Sequence, residues 1–338
     1  MVKRPLQLVT NSQLRTFRRC AVEHHYAYEL GFRPRASSDE ALRFGSLLHV
    51  GLEAWWRAWQ CPGEQLDAAL EAVAPLALDD YDLARVTALL QGYDARWSQS
   101  DEVTVLGVEL EFRLPMLNPA TGAASKTFEL GGKLDALVVN HGDGLVYVVE
   151  HKSSAEDIGP GSAYWQRLQL DSQVSTYVEA ARTLGHDVAG CLYDVVGKPG
   201  LRPHRATPIE SRKYTKDGRL YANQRAEDET ADDFYARLVE HVADNPERIY
   251  QRGIVVRTAD EARAAAFDAW LTARQMRELQ LANARPRNVA SCERYGRLCP
   301  YFRVCTGQAA LDDGLQFERL EWPHTELTPP NSEVVATA

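Results

Sequence analysis

Hydrophobic and polar positions follow two different periods along the chain. In the first hundred residues apolar side chains recur three and four positions apart, as at Phe44, Leu48 and Leu52, which predicts amphipathic helices. Asn11 or Ser12 is placed to cap the first of them. This part of the chain is therefore predicted to be helical.

The middle of the chain has the two-residue alternation of β-strands and is rich in β-branched residues. Three strands, a helix and a fourth strand are predicted. In chain order these segments are residues 103–114, 127–139, 145–152, 164–184 and 190–196. A tight turn at 141–144 joins the second strand to the third as a hairpin. This order predicts an α/β fold with a central mixed sheet flanked by helices.

After Gly197 the chain continues with a polar, basic loop to about Gln224 and then with helical patterns over 231–242 and 260–283. From His324 onward periodicity is lost, so we expect a disordered tail. The chain is thus divided into an N-terminal helical region (1–100), a core of sheet and helix (101–200), a part that closes the same domain (201–323) and the tail (324–338).

Composition restricts the class of protein. Of the 338 residues 45% are hydrophobic and 25% are charged, which is typical of a globular chain with a sizeable core. No apolar run approaches the roughly 20 residues of a membrane span, and the N-terminus lacks the apolar segment of a secretory signal. We therefore expect a cytoplasmic protein that does not enter membranes. The net charge of −9 argues against general coating of nucleic acid but allows a narrow basic channel.

Two carboxylates and a lysine lie on the predicted hairpin. Asp135 is in the second strand, and Glu150 and Lys152 end the third, two positions apart and so on one face. Asp135 and Glu150 could hold Mg²⁺ or Mn²⁺, with the carbonyl of His151 as a further ligand. Lys152 could orient a water or stabilise charge on a phosphate. Charged strand ends are often only solvated, so this triplet alone does not decide the function.

With its surroundings, the triplet resembles the motif of the PD-(D/E)XK nucleases, although Leu134 stands where a proline often precedes the aspartate. Gly45 and His49 resemble the G-x-x-x-H element of the RecB/AddB-like branch, in which the histidine binds metal. Gln173 and Tyr177 match the Q-x-x-x-Y element of that branch. The resemblance implies a restriction-endonuclease-like core, a divalent metal and exonuclease activity on DNA. It also implies a role in recombination, repair or phage DNA metabolism.

The cysteines are unevenly distributed. Cys292, Cys299 and Cys305 fall within fourteen residues, and a fourth ligand would complete a metal site, for which Cys20 is the best candidate. This arrangement resembles the four-cysteine [4Fe–4S] clasp of AddB and of the CRISPR-associated RecB-like exonucleases. Six residues separate Cys292 from Cys299, where two are usual, so structural zinc stays an alternative.

Basic residues mark candidate DNA contacts. One cluster with an interleaved tyrosine suits a single strand, through phosphate pairing and base stacking. It comprises Arg202, His204, Arg205, Arg212, Lys213, Tyr214, Lys216 and Arg219. A second cluster flanks the clasp and comprises Arg285, Arg287, Arg294 and Arg297.

Two other readings remain open. The chain could be a catalytically silent iron–sulfur protein that binds DNA as a scaffold, or an iron–sulfur redox protein. No G-x-x-x-x-G-K-[ST] motif occurs in the sequence, so DNA unwinding would require a helicase or recombination partner.

Overall fold

The computed structural model describes residues 6–35, 40–294 and 296–329. Its strands are β1 (Gln7–Thr10), β2 (Phe32–Pro34), β3 (Val103–Leu117), β4 (Ala124–Asn140), β5 (Val146–Ser154), β6 (Val188–Gly197), β7 (Tyr250–Val256), β8 (Glu293–Arg294), β9 (Arg297–Leu298) and β10 (Phe317–Arg319). Its α-helices are α1 (Asn11–Arg19), α2 (Ala21–His24), α3 (Glu40–Arg57), α4 (Gln65–Val73), α5 (Asp80–Trp97), α6 (Ala163–Leu168), α7 (Ser172–Thr183), α8 (Ala231–Asp244), α9 (Pro246–Ile249), α10 (Ala259–Leu281) and α11 (Phe302–Cys305). None of these described helices combines the length and the apolar character needed to cross a bilayer.

A six-stranded mixed sheet forms the centre of the described chain. Strand β3 pairs antiparallel with nearly the whole of β4 and so occupies one edge of it. The other edge of β4 is shared by β1, which pairs at 128–131, and β5, which pairs at 136–139. The sheet continues through β6, parallel to β5, and β7, antiparallel to β6. Between the two partners of β4 lies the short stretch 132–135, which includes Asp135.

Helices cover both faces of this sheet, as expected for an α/β fold. On one face α3 and α5 pack Trp55, Trp56 and Tyr93 against the strands, all fully buried. On the other face α7 contributes Val174 and Val178 to a second core. The predicted mixed sheet flanked by helices is confirmed.

Three local predictions differ from the structure. The helix predicted over 164–184 is two helices, α6 and α7, because Asp171 caps the second one by accepting a hydrogen bond from the Gln173 amide. The first helix is capped by Thr10 rather than by Asn11 or Ser12. Strand β7 lies between two predicted helices in a stretch that carries no clear alternation, and it was not predicted.

Part of the expected disordered tail packs on the domain. His324 and Leu327 are buried, and both the amide and the hydroxyl of Thr328 donate to Glu111 Oε1 at 2.8 and 2.6 Å. The expectation of disorder was therefore wrong for residues 324–329, because two of their side chains are buried against the domain. Residues 330–338 lie outside the described part of the chain.

Candidate metal centre

Asp135 and Glu150 face each other across the β4–β5 pair. The register pairs Ala136 with Val149, which places Asp135 opposite Glu150. Both side chains are buried, with 7% and 2% of each residue exposed. The backbone amide of His151 donates a 2.7 Å hydrogen bond to Asp135 Oδ2. The hairpin thus brings the two predicted carboxylates together and fixes the orientation of one of them.

His49 approaches this pair from helix α3. Its Nε2 lies 3.6 Å from Asp135 Oδ1 and 4.0 Å from Glu109 Oε1. The helix can come this close because Gly45, one turn earlier, has no side chain; a Cβ there would lie 3.1 Å from Ser153 Oγ. Burial lowers the pKa of His49, although the Asp135 carboxylate opposes the shift. A neutral imidazole can donate its lone pair to a metal.

Glu109 completes the group from strand β3. Its neighbours Val108 and Leu110 pair with Ala136 and Leu134, so Glu109 lies opposite Asp135. Its φ of 56° is in the left-handed region, which costs a residue with a Cβ about 1–2 kcal/mol. Burial raises the pKa of its carboxyl, while an ion pair with Lys133 opposes the shift. Glu111, two positions further along the same strand, does not join the group and contacts the C-terminal segment instead.

The ligand atoms of His49, Glu109 and Asp135 all lie within 4.8 Å of one another. At metal–oxygen distances of about 2.1 Å, neighbouring ligands of a cation are about 3 Å apart and opposite ones about 4 Å apart. The spacing, the two carboxylates and the neutral imidazole therefore fit a small divalent cation. Within the described residues this is also the only such group of histidine, cysteine or acidic side chains at that spacing.

Glu150 lies at the border between this group and Lys152. Its Oε1 accepts a 2.7 Å hydrogen bond from Gln173 Nε2 and forms an ion pair with Lys152. Its Oε2 is buried without a hydrogen-bond partner among the described residues. Burial raises the pKa of Glu150 to about 7, against the opposing charge of Lys152. An unpartnered buried carboxylate oxygen is a free acceptor, which a cation at this site could satisfy.

The two residues of the Q-x-x-x-Y element occupy different positions. Gln173, at the start of α7, contacts both Glu150 and Lys152, the latter at 3.4 Å. The ring of Tyr177 packs edge-on against Phe112, with ring centroids 5.9 Å apart, and burial raises its pKa well above the ordinary value. Gln173 thus contacts the Glu150–Lys152 pair directly, while Tyr177 packs against Phe112.

A buried polar network lies behind the centre. The side chain of His151 faces away from Glu150: its Nδ1 is 3.2 Å from Asp194 Oδ2, and its ring packs on Trp56. Asp194 is also 3.2 Å from Arg252 and accepts a hydrogen bond from Tyr93. Although burial opposes it, Arg252 lowers the pKa of Asp194 to about 2, and Asp194 raises the pKa of His151.

Sequence reasoning missed this network. Its one visible signal is the charged Asp194 inside an otherwise apolar strand, in the run Cys191–Val196. A carboxylate in such a strand needs a buried partner. The partner, Arg252, lies in β7, which was not predicted. The role of His151 as a metal ligand through its carbonyl remains a prediction.

The four predicted clasp cysteines come from the two ends of the chain. The side chain of Asn288 donates to the Arg19 carbonyl at 2.8 Å, next to Cys20, and the Cys299 amide donates to the Cys292 carbonyl at 2.7 Å. Burial raises the pKa of Cys299 to about 11, with smaller contributions from Cys305 and Cys20. Within the described chain, however, no three cysteine sulfurs come within 4.8 Å of one another. In a tetrahedral zinc site, with Zn–S distances near 2.3 Å, neighbouring sulfurs would lie about 3.8 Å apart.

Comparison with known proteins adds one result to this geometry. The model of the PD-(D/E)XK nuclease superfamily matches residues 9–306, most of the chain. The chain belongs to the PD-(D/E)XK nuclease superfamily. The matched range includes every residue of the candidate metal centre and all four predicted clasp cysteines. A comparison with curated proteins finds no significant match. Membership of a PD-(D/E)XK nuclease family and a clustered His/Glu/Asp group together indicate a metal-dependent nuclease.

Proposed function

We propose that this PD-(D/E)XK nuclease is a deoxyribonuclease of the RecB/AddB-like branch that shortens DNA from its ends with Mg²⁺ or Mn²⁺. The observation that supports it most is the His49–Glu109–Asp135 group directly beside the Glu150–Lys152 pair. A hard cation and an adjacent ammonium group are what phosphodiester hydrolysis needs around one phosphate.

His49, Glu109 and Asp135 would hold the metal, with the free Oε2 of Glu150 and the carbonyl of His151 as further ligands. When bound, a divalent cation polarises the phosphate and makes a bound water more acidic. The chain itself fixes the orientation of these ligands. The His151 amide holds Asp135 in one orientation, which leaves Asp135 Oδ1 facing His49.

Lys152 and Gln173 would act on the substrate side. The Glu150 carboxylate raises the pKa of Lys152 despite burial, so the amine stays charged at neutral pH. A fixed ammonium group can bind a phosphate oxygen and offset the charge that develops on it. Gln173 holds the shared Glu150 oxygen and so limits the motion of both partners.

The cysteine set is proposed to hold a [4Fe–4S] cluster, with zinc as the alternative. Cys20 follows α1, and the trio Cys292, Cys299 and Cys305 follows α10, so a cluster would join the two ends of the matched domain. Such a link restricts the unfolded chain and stabilises the folded one. A structural role fits better than redox catalysis, because the metal centre accounts for the chemistry.

Because no G-x-x-x-x-G-K-[ST] motif occurs in the sequence, ATP-driven unwinding of DNA would need a partner protein. Recombination, repair or phage DNA metabolism would supply either DNA ends or a helicase that exposes them. A catalytically silent, DNA-binding scaffold is the alternative function. The complete set of Asp135, Glu150 and Lys152 supports the nuclease over it.

The test uses the full chain, purified anaerobically, with end-labelled linear DNA and a covalently closed circle. With Mn²⁺ or Mg²⁺, progressive shortening of linear DNA and survival of the circle would support an exonuclease. Lys152→Ala should lower the rate about 10²- to 10³-fold, as the loss of one charge-stabilising group does. Cutting of the circle would contradict the exonuclease, and equal inactivity of folded wild type and variant would favour the scaffold.

A further inference from the structure

The segment that follows strand β6 has a charge opposite to that of the chain as a whole. Residues 198–225 carry eight lysine and arginine residues against two acidic ones, whereas the whole chain has a net charge of −9. Strong local positive charge in an acidic protein indicates a polyanion-binding surface.

This segment starts at the catalytic edge of the sheet. Strands β5 and β6 are parallel, and Ser154 pairs with Gly197, so both strands end at the same edge. The amide of Lys198 then donates a 2.6 Å hydrogen bond to the Ser154 carbonyl. Because Glu150 and Lys152 lie just before Ser154, the basic segment leaves the fold beside the catalytic pair.

Some basic residues of this segment form contacts within the protein and are not available to bind DNA. Arg205 pairs with Asp228 at 2.8 Å, and Arg212 donates to two backbone carbonyls, Thr207 at 2.9 Å and Ala226 at 2.6 Å. At its end Glu229 accepts from the His204 amide and pairs with Arg237. These contacts order the loop, so Arg205 and Arg212 are structural cations.

The available cations lie on a small hairpin, residues 213–221. A bridge between Tyr214 and Leu220 and a 2.7 Å hydrogen bond from the Thr215 amide to the Arg219 carbonyl define it. Lys213, Lys216 and Arg219 are exposed, and no ion pair or side-chain hydrogen bond is found for them within the described chain. Tyr214 and Tyr221 are 54% and 46% exposed.

We propose that the 213–221 hairpin binds single-stranded DNA and delivers the strand to the metal centre. Three free cations suit phosphates, and two exposed tyrosines suit the stacking of unpaired bases, which a duplex does not offer. The ordered loop keeps these groups in place before the strand arrives. This inference deepens the proposed nuclease function and rests on it.

Binding is measured by fluorescence anisotropy on the full chain in EDTA, with a labelled oligothymidylate of about 20 nucleotides, longer than most single-strand sites, and a blunt duplex. Tyr214→Ala with Tyr221→Ala should weaken single-strand binding about tenfold or more and change duplex binding little. The double phenylalanine variant should restore binding, because its rings still stack. Circular dichroism checks that each variant is folded.

Charge is tested with Lys213→Gln, Lys216→Gln and Arg219→Gln combined. The matched control neutralises three exposed cations elsewhere, Lys126, Arg263 and Arg274. The hairpin variant should bind single-stranded DNA more weakly. The slope of log K against log salt concentration should also become shallower by about 2, because each of the three lost phosphate contacts contributes about 0.7. The control should bind as the wild type does.

Unchanged affinity of the folded double alanine variant, or an equal loss in the charge control, would overturn the proposal. Preferential binding to the duplex would do so as well. Because binding is measured without metal, its result is independent of cleavage. If the protein binds DNA through the hairpin but never cleaves it, the proposed nuclease function is wrong. If it cleaves DNA and the hairpin variants bind as well as the wild type, the proposed role of the hairpin is wrong.

Discussion

The backbone amide of His151 donates a 2.7 Å hydrogen bond to Asp135 Oδ2, and this contact joins the two halves of the site. The same residue turns its ring toward Asp194, 3.2 Å away in the core. One residue between Glu150 and Lys152 therefore links a candidate metal ligand to a buried ion network. Its backbone amide holds the Asp135 carboxylate of the candidate metal centre, and its side chain anchors the strand that carries Glu150 and Lys152.

Glu109→Gln should lower the affinity for Mn²⁺ at least about tenfold, because a neutral amide is a weaker ligand than a carboxylate; even residues around a metal's direct ligands contribute about this much. Isothermal titration calorimetry on the full chain measures it. Glu111→Gln, two residues along the same strand, is the control and should bind Mn²⁺ like the wild type. Equal affinity of the two variants would remove Glu109 from the ligand set.

Asp194→Asn should lower the free energy of unfolding by about 3 kcal/mol, because it removes the buried carboxylate partner of Arg252 and leaves only the exposed one. Urea denaturation gives this value. The matched control is Glu102→Gln, which removes the exposed partner of Arg252, at 3.3 Å, and should cost less than about 1 kcal/mol. Equal losses in the free energy of unfolding of the two variants would show that the buried Asp194–Arg252 contact is not the main stabilising one.

Loss of the ion pair of Glu229 with Arg237 is expected to make the protein less stable in acid. Arg237 is the main reason why the pKa of Glu229 falls to about 2 in the folded protein, below its ordinary value of 4.5. A lowered carboxyl pKa stabilises the fold above the unfolded pKa, and this contribution is lost as the pH falls toward 2. In urea denaturation, Glu229→Gln should thus be less stable than the wild type at neutral pH. The difference should shrink between about pH 4.5 and pH 2; a constant difference would contradict the ion pair as its cause.

Anaerobically purified wild type should contain iron and acid-labile sulfide, and Cys20→Ser or Cys305→Ser should reduce both, because each removes one thiolate ligand. Elemental analysis and visible absorption measure this. Cys61→Ser is the control, since Cys61 is exposed and lies outside the proposed set, and it should retain the iron. Zinc in place of iron would support the alternative, and iron retained in all three variants would contradict the clasp.

Much of the fold could be predicted because it depends on local periodicity. Alternation over 127–139 and a turn at 141–144 suffice for the β4–β5 hairpin, and the hairpin brings Asp135 to Glu150. Strand β7 and the contacts of residues 324–329 could not be predicted in this way. Their contacts depend on partners far away in the sequence, such as β6 for Tyr250 and Glu111 for Thr328.

The order of strands β3 to β6 and the Asp135, Glu150 and Lys152 triplet could be predicted from the sequence alone, because local alternation and the spacing along one strand pair fix them. The choice between Glu109 and Glu111 as a member of the metal-binding group required the folded structure. The two glutamates lie on the same strand with the same spacing parity, and their roles differ because Glu109 lies opposite Asp135 in a left-handed conformation. The network of Asp194 and Arg252 also required the structure, since a buried charge is stable only beside its partner, and that partner is 58 residues away.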